Sequence, residues 1–109
     1  PQSRDLRTAP IETSFEAACE RLQSDMPSVL AEPDGSIAWA SPNHQLVGMI
    51  YDAAMAIQYI ELRGHCGRRH LRRLVKTLSG TDQIDLFRVM TLPDRQWNNF
   101  QSFEKTLPV

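Results

Sequence analysis

Cysteine is scarce in this chain: Cys19 and Cys66 are the only 2 in 109 residues, and they form no CxxC pair. So few thiols, so far apart, exclude a disulfide framework and make a cytoplasmic protein with reduced thiols the expectation. Long apolar runs are missing as well. No stretch approaches the roughly 18 unbroken apolar residues of a membrane helix, and the opening PQSRDLRTAP lacks a signal-peptide core. Membrane partners are therefore not expected. There is no glycine-rich phosphate loop, no nucleophile elbow and no pair of carboxylates at acid–base spacing. These absences disfavour an enzyme, and no cofactor is expected.

What is present has ordinary globular proportions, 41% apolar and 23% charged, so the chain can build a core without staples. Residues 1–12 mix charge, proline and threonine without periodicity and read as a flexible N-terminal arm, leaving 13–109 as a single domain. The formal net charge of −1 conceals a strong asymmetry. Residues 8–61 hold eight acids against Arg21 alone, whereas residues 63–76, RGHCGRRHLRRLVK, hold six cations and no acid.

The hydrophobic pattern predicts an α+β domain: an N-terminal helix, an antiparallel β-meander, then helix, strand and helix. Thr13 and Glu16 have capping-box spacing, and Phe15, Ala18, Cys19, Leu22 and Met26 then share one helical face. Pro33-Asp34-Gly35 is a turn between two short apolar runs. Residues 42–63 are ambiguous. Two strands, Leu46 to Asp52 and Ala56 to Leu62, suit the β-branched and aromatic content, although Asp52 to Met55 offers no Gly or Asn for the turn. The alternative is a mainly α protein with one short hairpin, in which 42–63 form one long helix capped by Ser41 and closed by Gly64. Leu71, Leu74, Val75 and Leu78 mark a helix from Cys66 or Gly67 to Ser79, which Gly80 can end. IDLFRVMTL reads as a strand. A last helix is expected from Thr91, with Trp97, Phe100, Phe103 and Leu107 along one side.

Two short stretches resemble known families. Val29 to Ala40, VLAEPDGSIAWA, is similar to the first hairpin of a PAS sensor domain, with its Asp-Gly turn followed by an aromatic and a small residue; no ligand motif accompanies it. His44-Gln45-Leu46 resembles the start of the phosphoacceptor box of sensor histidine kinases, which implies a histidine on a long helix, but Val47-Gly48-Met49 departs from that family's continuation.

The basic segment carries the functional expectations. On a helix, Arg69, Arg72, Arg73 and Lys76 fall opposite the leucine stripe with Arg68 on its border, and with Arg63 they form the expected partner-binding surface. The main reading is a protein-binding or regulatory module, acting as a homodimer or on another protein. Its cations would lie in solvent or pair with Glu12, Glu16 and Glu20 of the first helix, within or between subunits. The alternative is a nucleic-acid-binding regulator using the same cations on phosphates. A third reading places thiol or metal chemistry at Cys66 and His70, one helical turn apart, with His65 beside them and His44 and Cys19 as further ligands. Arginine neighbours and a helix N-terminus predict a readily formed Cys66 thiolate. The aromatic C-terminal stripe is assigned to core packing, and Asp85 and Arg88 to surface pairing.

Overall fold

The computed structural model describes residues 11–42, 44–85, 87–92 and 95–107. The first helix, α1 (Phe15–Asp25), starts one residue later than the capping-box spacing predicts. Ser14 is the N-cap, its hydroxyl accepting from Ala17 N at 3.1 Å. Thr13 serves a different purpose: its hydroxyl accepts from Arg21 Nη2 at 2.7 Å. Ala18, Leu22 and Met26 are buried as the periodicity requires, while Phe15 and Cys19 sit half-buried at the margin.

The meander forms as predicted. Strands β1 (Leu30–Ala31), β2 (Ser36–Ser41), β3 (His44–Ala53) and β4 (Ala56–His65) make an antiparallel sheet in sequential order. The Pro33-Asp34-Gly35 turn closes when Gly35 N donates to Glu32 O at 3.0 Å, with Gly35 at φ 98°, a conformation that costs glycine nothing. Strands β3 and β4, not the long helix, occupy the stretch 42–63 from His44 on. The segment carries too few charges to clothe the solvent side of a helix, and its period-2 alternation gives a sheet one buried face. Inward lie Ile37 and Trp39 of β2, Leu46 and Ile50 of β3, and Ile57 of β4. Outward lie their alternates, including Ala38, Val47, Tyr51, Tyr59 and Arg63.

The second long helix, α2 (Arg68–Ser79), begins after an N-cap at Gly67 and stops at Gly80, which is left-handed at φ 75° and donates to Lys76 O at 2.8 Å. Leu71, Leu74 and Leu78 join α1 and the sheet's inner face in one core, closed by Ile84 and Phe100. Arg21 locks the two helices together, donating to Thr77 O at 2.7 Å and Leu78 O at 2.8 Å, where the last turn of α2 has orphan carbonyls.

The C-terminal end keeps the expected strand and helix but inserts a second strand between them. Among the described residues of the predicted strand, Arg88–Thr91 is extended, as β5, and it pairs with β6 (Gln96–Asn99), placing Trp97 opposite Met90. The expected helix from Thr91 therefore reduces to α3 (Phe100–Glu104). Asn99 explains the start, because its side chain accepts from Ser102 N at 2.8 Å and caps the helix there. Pro93, Asp94 and Leu86 lie outside the described residues, as do residues 1–10 of the predicted arm. Ile11 belongs to the sheet: its N–H donates to Ile57 O at 2.8 Å, and Ile57 N donates to Thr13 O at 2.9 Å. Among the described residues no helix is long and apolar enough to cross a membrane.

Candidate functional site

The six expected cations do not form one solvent face. Arg63 stands on the outer face of the sheet, opposite Val47 of β3, while the others ride on α2. Along the flank toward α3, Arg68 Nη2 donates to Leu107 O at 3.1 Å, and Arg72 forks onto Glu104, Nε to Oε2 at 2.7 Å and Nη2 to Oε1 at 2.8 Å. Arg72 Nη2 also bonds Asp85, and its guanidinium lies 5.4 Å from the centre of the buried Phe100 ring. Along the flank toward α1, Arg73 donates to Asp25 O at 2.9 Å, and Lys76 stands 4.0 Å from Asp82. Arg69 is exposed.

The ion pairs of α2 thus run, among the described residues, to Asp85, Glu104 and Asp82 and not to the expected Glu12, Glu16 and Glu20. The reason is geometric. Glu12 lies before α1 and, like Glu16 and Glu20 on it, is exposed, whereas α3 and the loop before β5 bring Glu104 and Asp85 onto Arg72. Hydrogen bonding to Glu104, then to Asp85, together with the charges of the two carboxylates, raises Arg72 above its ordinary pKa, and Arg72 in turn holds the Glu104 carboxyl below its usual range. A guanidinium engaged in a bidentate carboxylate has no fork left for a phosphate.

Cys66 departs from its expectation. It lies just before α2, buried at 7% exposure, and burial pushes its thiol upward, with a smaller opposing pull from the Leu71 amide. The neighbouring guanidinia turn toward Leu107, Glu104 and Asp25, so they do not gather around the sulfur. Burial also raises the Cys19 thiol. Among the described residues, no three His, Cys, Asp or Glu side chains are placed to hold a metal ion. Cys66, His70 and His65 are therefore not assembled as a ligand set, and His44 and Cys19 do not complete one.

Sequence reasoning missed a ring cluster. Trp39, His44 and His70 meet with centroids 4.1 Å (Trp39–His44), 4.5 Å (His44–His70) and 5.7 Å (Trp39–His70) apart. His44 is 4% exposed, its Nδ1 2.9 Å from Ser41 Oγ, and its Nε2 has no partner among the described residues. Burial, then the charges of His70 and His65, hold its imidazole below the ordinary value. A histidine buried on a strand cannot serve as a phosphoacceptor on an exposed helix, which removes what the His44-Gln45-Leu46 resemblance implied. The available signal was alternation: once residues 44–53 are a strand, His44 falls on the same face as Leu46.

A second feature lies on the opposite side of the sheet. Strand pairing aligns Leu30, Ala38, Val47 and Arg63 in one row, Met49 and Glu61 in the next, and Tyr51 and Tyr59 in a third. Leu30 is 65% exposed, Val47 45% and Tyr59 53%, and the rings of Tyr51 and Tyr59 stack at 4.4 Å. No described helix covers this face. Comparison with family models, with curated proteins and with solved structures found no match to the chain.

Proposed function

We propose that the protein is a non-enzymatic, cytoplasmic binding module that works through protein association, in the first place with a second copy of itself. The surface responsible is the outer side of the meander and not the basic helix. The observation that carries this reading is the exposure of Leu30, Val47, Tyr51 and Tyr59 on one face of the sheet, with Ala38 and Met49 between them. Single exposed apolar residues are ordinary on a soluble domain, but a joined apolar patch rimmed by charge marks an interaction surface, and tyrosines supply large contact area at low entropic cost. The internal engagement of Arg68, Arg72 and Arg73 supports the same choice, because it removes most of the helix's capacity to hold phosphate.

Light scattering during gel filtration, at protein concentrations up to about 100 μM, tests the proposal. A dimer is expected for the wild type, and Val47→Lys with Tyr59→Lys is expected to give a folded monomer. A wild-type monomer across that range overturns it. The nucleic-acid alternative, which uses the cations of the basic helix, keeps Arg69 and Arg73 exposed, with Arg63 exposed on the sheet. It predicts binding to mixed-sequence DNA or RNA that weakens steeply between about 50 and 200 mM salt.

A further inference from the structure

We infer that two copies pair edge to edge through β4, antiparallel about a two-fold axis at Leu62, so that their meanders join into one continuous sheet. This rests on the self-association proposed above and specifies its geometry. β4 is the last strand of the sheet and ten residues long, and no described residue pairs with its outer edge except at one end. There, Ile11 and Thr13 occupy both backbone groups of Ile57, just before the bulge that leaves Gln58 unpaired opposite β3. At the other end the chain leaves the sheet after His65 and enters α2. The open segment is therefore Tyr59 to His65, and its midpoint is Leu62.

A long open edge is a template for another strand, and proteins that avoid this place like charges, proline or bulges along it. The open segment of β4 has none of these between Tyr59 and His65. It has instead two opposite charges, Glu61 and Arg63, both on the outer face and flanking the midpoint. An axis at Leu62 puts Glu61 directly opposite the partner's Arg63 and Arg63 opposite the partner's Glu61. Tyr59 then meets the partner's His65 on the same face. On the inner face Ile60 meets the partner's Gly64, and the two half-buried Leu62 side chains meet each other, extending both cores.

Opposed charges make this register specific. Moving the axis to Glu61 sets two carboxylates against each other, and moving it to Arg63 does the same with two guanidinia; like charges directly opposite on neighbouring strands are destabilising. An odd shift exchanges the buried and exposed faces of one sheet relative to the other. The preferred register also lengthens the exposed rows. Val47 and Arg63 of one copy run on into the partner's Glu61 and Met49, so the apolar face of one protomer continues across the axis.

The test exploits the symmetry, because each subunit supplies both charges. Glu61→Arg alone, and Arg63→Glu alone, are each expected to weaken dimerisation by more than about tenfold, read by sedimentation equilibrium. The double variant Glu61→Arg with Arg63→Glu restores the pairing and is expected to dimerise within a few-fold of the wild type. An equimolar mixture of the two single variants is expected to form a heterodimer tighter than either homodimer. That rescue cannot arise from misfolding. A wild-type dimer indifferent to both single reversals, or a double variant as weak as the singles, overturns edge pairing while leaving self-association standing. A wild-type monomer overturns both.

Discussion

Ala54 and Met55 join β3 to β4 at φ 53° and 66°, both left-handed, in a two-residue turn that contains neither glycine nor asparagine. Hairpins favour this geometry because its twist matches the strands, but a residue with a Cβ is disfavoured there by roughly 1–2 kcal/mol. Met55 is 90% exposed, so its side chain contributes no packing that would offset the cost. Replacing the pair by Ala54→Asn and Met55→Gly relieves most of the strain, less the extra freedom glycine gives the unfolded chain. We expect a net gain of about 1 kcal/mol, seen as a higher urea midpoint with an unchanged slope. The turn also accounts for the ambiguity of residues 42–63 in the sequence. A propensity argument looks for Asn-Gly and finds Ala-Met, while the force that decides is the pairing of two ten-residue strands that bury Leu46, Ile50 and Ile57.

At the scale of elements, α2 acts as a strut between α1 and the C-terminal hairpin, and Arg72 is its main tie. Of the two carboxylates on Arg72, Asp85 is 48% exposed and screened by water, whereas Glu104 is 13% exposed and bound in a fork. Hydrogen bonds between charged groups contribute about 1.5–3 kcal/mol when sheltered and well under 1 when exposed. Arg72→Ala is therefore expected to cost about 2–3 kcal/mol and Asp85→Asn about 0.5. The pH dependence follows from Glu104. Its folded pKa is depressed, so the stabilisation is present above the unfolded carboxylate pKa and is lost as pH falls through the lower folded value. The stability gap between wild type and Arg72→Ala should be full at pH 7 and shrink below the ordinary carboxylate range, as measured by denaturant titration at each pH. The helix itself was legible from its leucine stripe and from Gly80. Its partners were not, because Asp85 and Glu104 lie 13 and 32 residues from Arg72, and no periodicity reports which distant acid folds back onto a given arginine.

For the molecule as a whole, the two layers meet at the Trp39, His44 and His70 rings, which bring together β2, β3 and α2. The helix-on-sheet plan was legible because each amphipathic element has one apolar side. The convergence of the rings was not, since it depends on strand register and on where α2 crosses the sheet. Its consequence is a response to acid in which both layers take part. His44 faces Trp39 across the sheet, His70 from the helix and the charge of His65 at the end of β4, with no carboxylate among the groups that shift it. Charging it means placing an imidazolium in a nearly dry site beside a second imidazole. Its folded pKa lies below its unfolded one, so the unfolded chain takes up the proton first as pH falls. Stability is full above the unfolded histidine value and declines from there until the folded group also titrates. His44→Phe keeps a ring against Trp39 and removes the titration. Between pH 7 and pH 5, the wild type should lose stability in urea titrations while His44→Phe loses distinctly less; equal losses in both proteins would place the acid response elsewhere and leave the ring cluster a packing contact alone.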